Sequence, residues 1–450
     1  MKTSVIALLT LTVAPPVLFA AETPEASLVK KGEYVARAGD CVACHTAKHG
    51  QSFAGGLPME TPIGTIYTTN ITPDPDTGIG RYSFEQFDQA VRHGIAANGE
   101  SLYPAMPYPS YARITDEDMQ ALYAYFMKGV PAVQQPNHPS DIPWPLSMRW
   151  PLAAWRWMFA PAVAPTNAKV STDPVTARGA YLVEGLGHCG TCHTPRAITM
   201  QEKALDDDES QHYLAGGAPL EGWVAKNLRG DNDDGLGRWS EADLVQFFRT
   251  GRNDFSAAFG GMSEVVEHSL QHLSDDDLTA IARYLKQLPP SRPSGAAAEQ
   301  AKQVVSEPTS NTLHNLQVAD NLGARVYADN CMACHRSDGK GYAQTFPALG
   351  QNSVVNTQDA TSTVRIILGG YTLPGTQTAP TSYTMPGFGW RLNDEEVAAV
   401  ATFIQKGWGN HGIAVKPEDV AKVRQSLPAD MLETADFDRH EGAVLSHGVQ

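Results

Sequence analysis

Six cysteines are all that this 450-residue chain contains, and every one falls within three copies of one five-residue pattern. None is left over for a stabilising disulfide or a separate reactive thiol. Basic residues are scarce as well: 34 Lys and Arg stand against 49 Asp and Glu, a formal charge of -15 that argues against nucleic acid and against electrostatic docking to anionic lipid. Beyond the first 21 residues no apolar run is long enough to cross a bilayer, so the sequence does not read as an integral membrane protein. It has no dinucleotide fingerprint, no nucleophile elbow and no histidine cluster, and so offers no substrate chemistry of its own.

The repeated pattern is Cys41-Val42-Ala43-Cys44-His45, Cys189-Gly190-Thr191-Cys192-His193 and Cys331-Met332-Ala333-Cys334-His335. Cys-x-x-Cys-His is the attachment signature of c-type haem: each thiol takes one vinyl group as a thioether, and the histidine becomes an axial ligand of the iron. Two intervening residues let one helical turn span both vinyls, and the next residue then faces the metal from the same side. A lone Cys-x-x-Cys would also suit a redox dithiol, a disulfide or half a zinc site. Three widely separated copies, each with its histidine, point to three covalently bound haem c groups.

The length suits three domains. Residues 1–21, with Lys2, an apolar stretch from Val5 to Phe19 and small Ala20 and Ala21, read as a cleaved secretory signal peptide that delivers the chain to the periplasmic face of a bacterial cytoplasmic membrane. Domain 1 is expected over 26–135, with Leu28, Tyr34 and Val35 on a helix before the motif, Ser83 capping a second helix ended by Gly94, and Thr115 opening a third. Domain 2 (176–290) repeats the order from Gly179 and Tyr181, and domain 3 (316–410) from Gly323 and Tyr327. Ser274 and Asn393 are placed to cap their last helices. Between the domains lie a Trp- and Pro-rich segment (136–175) holding Trp144, Trp150, Trp155 and Trp157, and a polar linker (291–315). The tryptophans suit a domain seam, a partner surface or lipid headgroups. A polar tail (411–450) carries no sign of chemistry.

A closed iron needs a second axial donor, and methionine favours the ferrous state. Met106, Met262 and Met385 each stand in a Pro- or Gly-rich loop shortly before a domain's closing helix, which makes them the expected partners of His45, His193 and His335. His93, His212, His268 and His272 are rival donors. Asn70, Arg81, Asn227 and Arg238 take matching loop positions, suited to solvent or to the propionates.

The order of parts resembles the class I cytochrome c fold and implies a mainly α protein of three tandem class I cytochrome c domains with loop-rich haem pockets. GEYVARAGDCVACHT, FAGGLPMETPIGTIYTTNITPDPDTGIG, YPAMPYPSYARITDEDMQALYAYFMKGV, DIPWPLSMRWPLAAWRWMF and GHCGTCHTPR resemble the tri-haem cytochrome c subunit of membrane-bound dehydrogenases. That resemblance implies an electron relay, not itself an enzyme, from a flavin- or pyrroloquinoline-quinone-containing catalytic subunit to ubiquinone. It also implies a small third subunit, peripheral membrane contact and no nucleic acid. A gluconate-type complex is favoured over an alcohol-type one. The competing class is a haem enzyme, a peroxidase or oxidase component with one open iron.

Overall fold

In the computed structural model, the structure describes residues 23–164, 172–292, 307–314 and 318–433, so the signal peptide expected over 1–21 lies outside the described residues. Among the described residues helices carry the architecture, and the strands form only short two-stranded hairpins.

The first stretch opens with α1 (Pro24–Ala38), whose Thr23 hydroxyl accepts from the Ala26 amide and whose Pro24 supplies the fixed φ suited to a first turn. The Cys41–Cys44 turn follows directly. A hairpin of β1 (Pro58–Thr61) and β2 (Gly64–Tyr67), with Met59 opposite Ile66, stiffens what composition alone presents as loop. Then come α2 (Phe84–His93), held by a capping box of Ser83 and Gln86 and ended by left-handed Gly94, and α3 (Asp116–Lys128), whose Thr115 accepts from the Asp118 amide. Met119, Leu122 and Phe126 of α3 are buried, and α3 packs across α1.

The next segment was expected to be linker, but it contains α4 (Trp150–Phe159). The second stretch repeats the first: α5 (Pro174–Ala180) runs into a π-helical turn (Tyr181–Leu186) and the Gly190–His193 turn, and α6 (Glu241–Thr250), α7 (Gly261–His268) and α8 (Asp275–Gln287) complete it. The third has α9 (Glu307–His314), α10 (Leu322–Asn330), the Met332–His335 turn, α11 (Thr361–Gly369), α12 (Asp394–Lys406) and α13 (Pro417–Ser426). Its core extends past the boundaries read from sequence. Leu313 lies before it, while Val415, Val420 and Leu427 from the expected polar tail are buried in the same cluster. The tail looked polar because α13 buries one narrow stripe.

One close approach is made three times. A Cβ on Gly32 would lie 1.9 Å from the Ala121 carbonyl oxygen, one on Gly179 2.0 Å from that of Ala280, and one on Gly323 2.3 Å from that of Ala399. Each helix that leads into a Cys-x-x-Cys-His turn (α1, α5 and α10) therefore crosses a later helix of its stretch (α3, α8 and α12) at a spacing only glycine allows.

The first and second stretches share a single hydrophobic core, and they meet through a reciprocal pair of contacts. Tyr34 donates to Asp277 at 2.6 Å and accepts from the Ser274 amide; Tyr181, its counterpart, donates to Asp118 at 2.6 Å and lies 3.4 Å from the Thr115 amide. Each acid is also held within its own stretch, Asp118 by Lys31 at 2.9 Å and Asp277 by both nitrogens of the Arg178 fork at 2.8 Å.

Candidate haem-binding sites

The motif histidines are oriented alike. His45 Nδ1 lies 2.7 Å from the Thr69 carbonyl, His193 Nδ1 2.6 Å from that of Lys226, and His335 Nδ1 3.0 Å from that of Pro347. A carbonyl only accepts, so each Nδ1 carries the proton and each Nε2 keeps a lone pair for a metal. Burial lowers the pKa of all three and keeps the rings neutral.

Burial also pushes the thiols of Cys41, Cys44, Cys189 and Cys331 up to about 12. A redox dithiol depends on a depressed thiol pKa, so these environments disfavour that reading and suit cysteines whose sulfur is taken up as an uncharged thioether. All six cysteines are unpaired, which also sets aside the disulfide reading.

Around the third motif the fit to a large apolar group is direct. Cys331, Cys334, His335 and Met385 line one cavity whose walls are mainly apolar, among them Phe346, Val355, Ile367 and Phe388. Residues 256–259 of the second stretch complete that wall. Met385 lies on the two-residue strand Thr384–Met385, paired to Tyr371 across from it. Met106 and Met262 are half-buried against the shared core of the first two stretches. Met262 was expected in a loop; it stands in the first turn of α7, entered through Gly260 at φ 57 with the Trp223 ring against it.

The rival donors are engaged elsewhere or lie in the open. His93 faces Asp88 at 3.9 Å, His272 Nε2 sits 3.0 Å from the Glu267 carbonyl, and His212 is exposed. Asn70 and Asn227 are neither solvated nor free for a propionate, since both are buried staples. Asn70 donates to the Val133 carbonyl at 2.8 Å and accepts from the Thr72 amide; Asn227 donates to Asp231 and accepts from the Arg229 amide. Arg81 makes an exposed pair with Asp76, and Arg238 reaches Gln351 of the third stretch.

The three motifs sit in series. Helix α7, which carries Met262, packs on the Cys41–Cys44 turn, and the charges of Cys192 and Glu264 add to burial and Asp40 in raising Cys44. Towards the third stretch, Tyr371 lines the cavity and donates to Ser263, next to Met262, at 2.9 Å, while Trp223 lies 5.5 Å from Tyr371 ring to ring and beneath the Arg365 guanidinium. Sequence reasoning missed Tyr371, Trp223 and Ser263 because their contacts join residues about a hundred or more positions apart.

The cytochrome c family model matches residues 29–129 and 321–408. The gluconate 2-dehydrogenase cytochrome c subunit of Pantoea cypripedii is 61% identical over 404 residues, covering 89% of this chain and 90% of that one. The cytochrome c subunit of the quinone alcohol dehydrogenase of Gluconacetobacter polyoxogenes is 54% identical over 90% of this chain and 86% of its own length. The fructose dehydrogenase cytochrome subunit of Gluconobacter japonicus is 37% identical over 88% and 82%.

Proposed function

Because the chain belongs to the family of cytochrome c subunits of dehydrogenase complexes, which transfer electrons and bind haem c covalently, we propose that it holds three haems in three tandem cytochrome c domains. Each of Cys41 and Cys44, Cys189 and Cys192, and Cys331 and Cys334 anchors one ring. The haem supplies an iron that takes up and releases one electron at a time. His45, His193 and His335, steadied by the carbonyls at Nδ1, would hold the iron through Nε2, and Met106, Met262 and Met385 would offer it thioether sulfur. The apolar walls exclude water and favour the less charged, reduced state.

The observation that carries this reading is the threefold recurrence of a histidine fixed through Nδ1 beside two unpaired cysteines. The serial contacts of the stretches suit a relay from a catalytic dehydrogenase subunit to ubiquinone, and the 61% identity favours a flavin-dependent gluconate-type partner, with a small third subunit, over a pyrroloquinoline-quinone alcohol-type one. Export by a cleaved signal peptide to the periplasmic face of the cytoplasmic membrane, with peripheral contact there, matches where such haem is attached and where quinone is reduced.

The test is a pyridine haemochrome titration of denatured protein together with carbon monoxide binding to the reduced native form. Three retained haems with little carbon monoxide uptake are expected. Fewer haems overturn the count, and ready uptake favours a haem enzyme with an open iron. In a second step, the isolated subunit should oxidise neither gluconate nor alcohol, and adding the catalytic subunit should restore quinone reduction.

A further inference from the structure

Helix α4 has the usual surface amphipathicity reversed. Its exposed positions are Trp150, Pro151, Ala153, Ala154, Trp157 and Met158, without one charged or hydroxyl-bearing side chain. A surface helix ordinarily turns its polar face outward. Here the arginines turn inward: Arg156 donates to Ser101 Oγ at 2.8 Å and to the Gly94 carbonyl, and Arg149 lies 3.8 Å over the Tyr103 ring. Trp155 donates to the Thr199 carbonyl at 2.8 Å, so the helix also straps the first stretch to the second. Trp150 is 72% exposed and Trp157 85%, with Trp144 at 79% shortly before and Ile198, beside Thr199, at 99%. No aspartate or glutamate occurs between Asp141 and Asp173. Holding this face in place therefore exposes apolar surface that folding alone leaves uncovered.

We propose that the exposed face of α4, with Trp144 and Ile198, seats in the interfacial layer of a lipid bilayer, the helix lying parallel to the surface. A protein partner would bring backbone and side-chain polar groups needing about one hydrogen bond for every 100–200 Å² buried. This face has indole N–H groups and little else to meet them. Hydrocarbon asks for no partner, and tryptophan favours the boundary where its ring is buried and its N–H meets a headgroup. Because the chain is acidic overall, the attachment is apolar and not driven by anionic lipid. Among the described residues no helix is long and apolar enough to span a membrane, so this face supplies the peripheral contact that the proposed function needs.

The proposal deepens the proposed function by naming the membrane-facing surface. Its test is flotation of the haem-loaded full chain with neutral phosphatidylcholine vesicles, and with the same vesicles doped with phosphatidylglycerol, followed by haem absorbance. The wild type should float with both. The W150S/W157S variant, altered only at outward positions, should partition about tenfold more weakly or worse with its haem content unchanged. A wild type that stays in solution, or floats only with anionic vesicles, overturns the proposal, as does a variant that floats equally well. The haem count and quinone reduction in detergent are read separately, so a chain that floats without relaying electrons fails only the functional reading, and one that relays without floating fails only this proposal.

Discussion

The first two stretches meet through one set of residues used twice, whereas the third meets the second through residues of its own. Tyr34 and Tyr181 each reach across to an acid at the third position of the other's closing helix. In the third stretch the position two after the crossing glycine holds Arg325, which reaches the Ala319 carbonyl of its own stretch, and Tyr327, two residues further on, is fully buried against Phe403 and Trp408 and donates to the Arg336 carbonyl. The matching acid differs as well. Glu396, one methylene longer than Asp118 or Asp277, folds back onto the Asn393 amide to close a capping box, and so is spent within its own helix. A repeated unit can thus keep an acid at one position and spend it at an interface or on a cap, and where the tyrosine opposite is replaced, as by Arg325, the reciprocal pairing is lost. The third stretch docks instead by Trp223 and Arg365, Tyr371 and Ser263, and Arg252, which donates to the Thr381 carbonyl at 3.0 Å and lies over Tyr383.

The largest effect tests what all three stretches share. Gly32→Ala, Gly179→Ala and Gly323→Ala each force a methyl into a carbonyl of the closing helix, and each should cost about 3 kcal/mol in thermal unfolding followed at the Soret band. If Gly323→Ala proved harmless, the third crossing would not be equivalent to the others. Next, Tyr34→Phe and Tyr181→Phe each remove a hydrogen bond to a carboxylate and should each lower the stability of the paired stretches by about 1–2 kcal/mol in thermal unfolding. Tyr327→Phe should leave the unfolding of the paired stretches unchanged. A smaller effect is expected from Tyr371→Phe, which takes the hydroxyl from Ser263. Haem content and the fold should be retained, while the haem proposed to take Met262 as a ligand shifts in potential and its electron exchange with the haem proposed at the third motif slows, by stopped-flow reduction.

The smallest concerns pH. Burial pushes the carboxyls of Glu184 and Glu202 in the second stretch up to about 7 from an ordinary 4.5, against the donors Tyr284 and Arg113 at Glu184. The folded state then holds protons that the unfolded chain has released. This contribution is fully present below about pH 4.5 and is lost as pH rises through 7. Glu202→Gln should flatten that slope in the second stretch and leave the third unchanged.

Much of this was legible locally. The Cys-x-x-Cys-His runs, the caps at Ser83, Thr115, Ser274 and Asn393, and the paired glycine and aromatic residues are short-range patterns, and each falls where the sequence places it. What escaped was set by distant partners. Tyr34 reads as a core-facing helix residue until Asp277 stands opposite it, and the loop asparagines read as solvated until the Val133 carbonyl and Ser291 close over them. The tryptophan-rich segment combined two of its readings, a strap through Trp155 and an open face through Trp150 and Trp157.

From crossing glycine to first cysteine the chain runs nine positions in the first stretch (Gly32 to Cys41), ten in the second (Gly179 to Cys189) and eight in the third (Gly323 to Cys331). In a continuous α-helix each added residue would swing everything after it by about 100°. The third stretch runs helically to Asn330; the first breaks at Gly39 and left-handed Asp40; the second takes up its extra residue in the π turn and at His188, at φ 37. All three histidines nonetheless end with Nδ1 on a carbonyl. The link acts as a rotary joint that absorbs angular error, so the crossing and the motif turn can drift in register independently, and an inserted or deleted residue there changes the chain's length without changing the bearing of the histidine proposed as metal ligand.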